Sequence, residues 1–188
     1  MKSIYKGIAV SVIAAVVLLG IGCDAAMNDA NKLVDEANVS IKKANETSAK
    51  GADIVKAVFG KLSDIEDFDA YKTENKTKID ELTKFLESSS KDFADAGSKF
   101  EAASKLDVSA KFKEYLGLKG QEIKKRSEHE KATLDFVKAF QGESEAEKID
   151  KLVGDYNKKS ADIVKEADDL AKKAEQIVKD NPNDFKAN

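Results

Sequence analysis

The sequence predicts an all-α protein, an elongated antiparallel bundle of four long helices running up-down-up-down behind a removable leader. Three observations carry this. Small and apolar residues recur at alternating spacings of about three and four over long stretches, the rhythm of a helical seam. The chain has one proline, Pro182, close to its end, so nothing upstream interrupts a helix in the way proline does. Charged residues make up 36% of the chain with both signs interleaved, as on the outer faces of long amphipathic helices. About 160 residues remain after the leader, which suits a single domain.

The leader comes first. Lys2 and Lys6 form a small positive start. From Gly7 to Gly22 the chain is almost wholly apolar and carries no charge, the layout of an export signal. The run is shorter than the roughly 20 apolar residues of a spanning helix. It closes on Leu18-Leu19-Gly20-Ile21-Gly22-Cys23, and Cys23 is the chain's single cysteine. These residues resemble a bacterial lipoprotein signal, with Gly22 and Ile21 in front of the cysteine and Gly20 where a leucine is usual. The resemblance covers residues 1–24 alone. It implies that residues 1–22 are removed and that Cys23 becomes a mature N-terminus carrying palmitate-class acyl chains. Two such chains suffice for stable anchoring at about 0.8 kcal/mol per buried methylene. Secretion with cleavage after Ala25 or Ala26 and an uncleaved anchor are the other readings, and each puts the domain outside the cytoplasm.

The bundle is expected over residues 23–181. In the first segment, from about Asp24 to Lys61, the seam runs Met27, Ala30, Val34, Ala37, Ile41, Ala44, Ser48, Gly51, Val55, Val58 and Leu62. Its many small residues allow close backbone approach. Gly60 and the acidic run from Asp64 to Asp69 mark a turn, where Ser63 and Glu66 have the spacing of a capping box. The second segment, about Ala70 to Lys105, carries Ile79, Leu82, Leu86, Ser89, Phe93, Ala96, Phe100 and Ala103. Outside lie the acid-before-base pairs Asp80–Lys84, Glu87–Lys91, Asp95–Lys99 and Glu101–Lys105, the favourable i,i+4 order.

The third segment runs from an N-cap at Asp107 to Gly142, with Phe112, Leu116, Ile123, Leu134, Val137 and Phe140 as its stripe. Its middle, Lys124 to Lys131, has no apolar residue, and Gly117 and Gly120 weaken it, so an open or three-helix arrangement is the alternative. The fourth opens on Ser144-x-x-Glu147, a capping box, and its seam runs from Ile149 through Tyr156, Ser160, Ile163, Ala167 and Ala174 to Ile177. Residues 182–188 read as a frayed tail.

The composition narrows the function. Losing Lys2 and Lys6 with the leader takes the formal charge from −3 to about −5, and no basic patch with interleaved aromatics exists, which argues against nucleic acid. The single histidine, His129, stands between Glu128 and Glu130, which point to other helix faces, and reads as an exposed residue. No Glu-x-x-His, Walker or Gly-x-Gly-x-x-Gly sequence is present, so the expectation is no enzymatic activity, no cofactor and no metal.

Two surfaces stand out. Helical topology sets Asp64, Glu66, Asp67 and Asp69 beside Glu143 and Glu145 at the end away from the N-terminus, backed by aromatics. Such a tip suits a basic protein partner, although acids at helix starts also serve as caps. At mid-length Ser48, Ser89, Ser127, Glu130 and Ser160 fall on or near the stripes, as a polar layer or a small cavity lining. The expected protein is a non-enzymatic, lipid-anchored cell-envelope scaffold, spacer or protein-binding module, tethered on the periplasmic face or the cell surface. Self-association through an exposed stripe belongs to the same reading. The alternative is an extracytoplasmic carrier of a small hydrophobic or lipid ligand, which would need a sizeable apolar pocket.

Overall fold

The computed structural model describes residues 25–185, and all regular structure among them is helical. The leader, Cys23 and residues 186–188 lie outside the described residues. Four long helices form an antiparallel bundle: α1 (Ala25–Phe59), α3 (Lys76–Ala103), α4 (Ala110–Gln141) and α5 (Ala146–Asp180). A short helix, α2 (Phe68–Glu74), precedes α3, and single 3-10 turns occupy Leu62–Asp64 and Pro182–Phe185. The 35 residues of α1 make a rod about 52 Å long.

The seams are those of the sequence. Ala30, Val34, Ala37, Ile41, Ala44, Gly51, Val55 and Val58 are buried on α1, and every seam residue expected on α3 is buried. The core has two halves. One joins the start of α1 to the α3–α4 turn and the end of α5, through Ala30, Ala103, Phe112 and Ile177. The other joins the end of α1 to α2 and the α4–α5 turn, through Val58, Phe68, Phe140 and Ile149. Each end is sealed by rings. Phe59 meets Phe136 and Phe140 edge-on at 5.2 and 5.1 Å, and Phe185 meets Tyr115 at 5.3 Å. Pro182–Phe185 is therefore a closing turn rather than a frayed tail, because an aromatic a few residues past the helix folds back onto Phe112 and Tyr115.

The helix starts differ from the expected caps. Asp67, not Ser63, caps α2, accepting from the amides of Asp69 and Ala70 at 3.0 Å each, while Ser63 donates to Asp64. Ser109, not Asp107, caps α4, accepting from Phe112 N at 3.2 Å. Ser144 lies outside α5, whose N-cap is Glu145, and the Glu143 carboxylate accepts from the amides of Ser144 and Glu145 instead. The second expected segment is broken at Asn75, whose side-chain amide donates to Tyr71 O at 3.0 Å and competes for the helical acceptor. Of the four expected i,i+4 pairs, Asp95–Lys99 forms at 2.8 Å. Asp80, Glu87 and Glu101 turn to Lys76, Lys138 and Lys124, the last two on a neighbouring helix.

Successive long helices pack side by side, α1 on α3, α3 on α4 and α4 on α5, while α1 and α5 hardly approach at backbone distance. α3 and α4 approach closely at Gly97 and Gly120, where each glycine's missing Cβ would stand about 3 Å from the other's carbonyl oxygen. The α1–α5 side is the looser one, and there the bundle opens.

Candidate functional site

At mid-length, serine replaces the larger seam residues on each long helix, and the polar layer expected from the sequence forms. Its centre is Glu130 on α4. Ser48 of α1 donates to Glu130 Oε1 at 2.8 Å, and Ser89 of α3 donates to Oε2 at 2.9 Å. Burial pushes the Glu130 carboxyl above the ordinary glutamate range, and the two serine bonds oppose that shift. Ser127 and Ser90 form a second, fully buried pair between α4 and α3, with Ser127 Oγ donating to Ser90 O at 2.8 Å. On the α5 side, His129 Nε2 lies 2.8 Å from Ser160 Oγ, and the Thr133 and Tyr156 hydroxyls are 3.0 Å apart. Burial raises the Tyr156 hydroxyl's pKa.

His129 is thus half-buried and bonded across a helix interface, not an exposed histidine. The flanking glutamates misled, because α4 packs between α3 and α5 and buries much of its girth. Sequence reasoning found Ser48, Ser89, Ser127, Glu130 and Ser160. It missed Ser90 and Thr133, and it read Tyr156 as a seam residue without the bond that its hydroxyl makes to Thr133.

The layer is the floor of a cleft between α1 and α5, walled by Val55, Phe93, Ile163 and Val164. Its free volume is about 60 Å³, room for about four to six water-sized positions. Lys125 and Arg126 also reach its edge. Both are already paired, Lys125 with Glu128 and Glu166 at 2.8 Å each, and Arg126 with Glu122 at 3.1 Å. Glu122 is almost fully buried and also holds Lys119, so two cations share one acid inside α4. Nearby, burial and then the Glu122 and Glu175 charges drive the Tyr115 hydroxyl far above its ordinary range.

The acidic tip is more self-contained. The two distal turns meet through Lys72, whose ammonium donates to Glu143 O at 2.9 Å and pairs with Asp69 at 2.9 Å. Ser144 also donates to Asp69, and its bond, followed by that of Lys72, holds the Asp69 carboxyl below its usual range. Asp67 and Glu143 are turned onto backbone amides, and Glu145 pairs with Lys148 at 2.7 Å. Asp64 and Glu66 remain on the exposed surface of the turn. Of the six expected partner-binding acids, the structure brings Asp69 and Glu143 together around Lys72 and uses Asp67 as a cap.

Among the described residues no group of acids, histidines or cysteines has the arrangement of a metal site, and no helix is long and apolar enough to cross a membrane. Comparison of the chain with protein-family models, with curated proteins and with solved structures returns no match.

Proposed function

We propose that the chain is a lipid-anchored envelope protein that serves as a helical spacer or scaffold and offers its distal tip to another envelope or extracellular protein. One observation carries the reading. α1 is already helical at Ala25, two residues after Cys23, and runs unbroken to Phe59. A lipid on Cys23 would hold one end of a rod about 52 Å long with almost no slack between membrane and domain. The tightly packed small-residue seam supports a rigid spacer. Ala30, Ala37, Ala44, Ala96 and Ala103 are fully buried, so the helices leave little room to spread around a large ligand. A cleft of about 60 Å³ is small for a lipid carrier, whose pocket would run to about 300 Å³ or more.

The test is intact-mass analysis of membrane-extracted protein beside a Cys23→Ala variant, with fractionation of both. The expected mature mass starts at Cys23 and carries acyl chains, and the variant loses both the lipid and the membrane association. An unmodified wild-type mass starting near Ala26 would refute the tether.

A further inference from the structure

The mid-bundle cleft holds an acid with no cation of its own. Glu130 Oε1 and Oε2 each accept one serine hydroxyl, and no ion pair reaches the carboxylate among the described residues. A carboxylate has about four lone-pair positions, so about two acceptor positions remain for a donor inside the cleft. The cations at the rim do not supply it, since Arg126 is spent on Glu122 and Lys125 on Glu128 and Glu166. Around the acid the lining is mixed: Val55 and Ala52 from α1, Phe93 from α3 and Ile163 from α5 form an apolar side, and Asn45, His129 and Thr133 stand among them. An anionic acceptor beside an apolar side in a small cleft suits a positive donor on a short hydrocarbon body.

We propose that the cleft binds a primary alkylammonium group of about four to six heavy atoms, its nitrogen on Glu130 and its carbon chain against Val55, Phe93 and Ile163. The site is independent of the lipid tether and of the acidic tip. The serines hold the carboxylate in place, so the charge is oriented before the ligand arrives. Water satisfies the same lone pairs without charge complementarity, and an anion meets Glu130 head-on. A free small amine and a lysine side chain share this chemistry.

The experiment is a titration of the isotope-labelled full chain in detergent micelles, at mildly alkaline pH, followed by amide chemical shifts. The probes are n-butylammonium, n-butanol, butyrate and an end-blocked lysine. n-Butylammonium is expected to give saturable shifts at Ser48, Ser89 and Glu130, while butanol and butyrate give none. Glu130→Gln is expected to weaken n-butylammonium by about tenfold or more, the worth of one charge-assisted hydrogen bond. Ala52→Leu, which keeps the charge and fills the slot, is expected to abolish binding, and a circular dichroism melt checks that both variants fold. Binding of blocked lysine as tight as that of n-butylammonium assigns the cleft to a side chain reaching in between α1 and α5; weaker binding assigns it to free amines. No saturable response to n-butylammonium, equal binding of butanol or butyrate, or unchanged affinity in a folded variant would overturn the proposal.

Discussion

Three glycines on α3 and α4 look alike in sequence and should behave oppositely when replaced by alanine. Gly117 has open space around its missing Cβ, with nothing within 4 Å. Its replacement removes a helix-weakening residue and should stabilise the bundle by about 1 kcal/mol. Gly120 is different. Its added Cβ would sit 3.0 Å from Glu101 Cγ and 3.1 Å from the Gly97 carbonyl oxygen. A Cβ at Gly97 would lie 2.8 Å from Lys124 Cγ and 3.0 Å from the Gly120 carbonyl oxygen. The side chains can yield, although the Lys124–Glu101 ion pair, at 2.6 Å, ties them over the crossing. The carbonyls can move only if the two helices part by a few tenths of an ångström. Overpacking of that kind costs about 1–3 kcal/mol, set against the same propensity gain of about 1 kcal/mol. Gly120→Ala and Gly97→Ala should therefore fall between neutral and about 2 kcal/mol destabilised, while Gly117→Ala gains. Urea unfolding followed by circular dichroism separates them, with the midpoint moving up for Gly117→Ala and unchanged or down for the other two. If Gly120→Ala gains as much as Gly117→Ala, the close crossing of α3 and α4 is not the reason for the glycine.

Three further outcomes follow from the core and the polar layer. Phe140 is fully buried among Phe59, Phe68 and Phe136, so Phe140→Ala should cost about 3–5 kcal/mol in urea unfolding; a cost near that of a surface substitution would refute the distal ring cluster. Glu122→Ala would leave Lys119 and Arg126 without their shared acid, and breaking a buried pair in this way costs about 3–5 kcal/mol, read as a lowered melting midpoint. Glu130 gives a pH dependence. Its folded pKa lies above the ordinary 4.5, so the folded state binds the proton more tightly than the unfolded state. That contribution to stability is complete below the unfolded pKa and is lost as pH rises through the raised folded value. The wild-type stability minus that of Glu130→Gln, measured across this window, should fall with rising pH; a flat difference would show that the carboxyl does not titrate abnormally.

The seams were legible in the sequence because alanine and aliphatic residues at heptad spacing have few other uses in a chain this polar. The connections were less so. Ser63, Asp107 and Ser144 each had the composition of a cap, yet Asp67, Ser109 and the Glu143 carboxylate do the work. Cap sequences recur every few residues in a chain rich in Ser and Asp, and which one closes a helix depends on where the neighbouring turn folds. The break at Asn75 left no trace because no glycine or proline marks it. The mid-bundle serines could be read from periodicity. His129 could not, because its partner Ser160 lies on another helix and the local pattern of α4 is blurred by burial against two neighbours. The same burial explains why α4, the least patterned segment, is a continuous helix of 32 residues with Lys119 and Glu122 inside it.

The polar layer also bears on why the bundle opens where it does. Hydroxyls at mid-seam give up apolar contact and return less in net hydrogen bonding than an aliphatic pair would. On the α1–α3 and α3–α4 faces the serines are answered by Glu130 and by one another, so those interfaces remain closed. On the α1–α5 face the answering groups are divided. Ser48 turns inward to Glu130, and Ser160 turns to His129 of α4. Both serines are drawn toward the centre of the bundle, and Ile163 and Val55 are left to line a gap. The aromatic clusters at the two ends hold the rod together on either side, so a local loss of packing becomes a cleft rather than a splayed helix. A bundle whose only task was stiffness would be served by Leu or Ile at these positions. Replacing Ser48 or Ser89 with alanine leaves Glu130 short of a hydrogen bond in the core, so the three residues function as a unit and set the register of α1, α3 and α4 together.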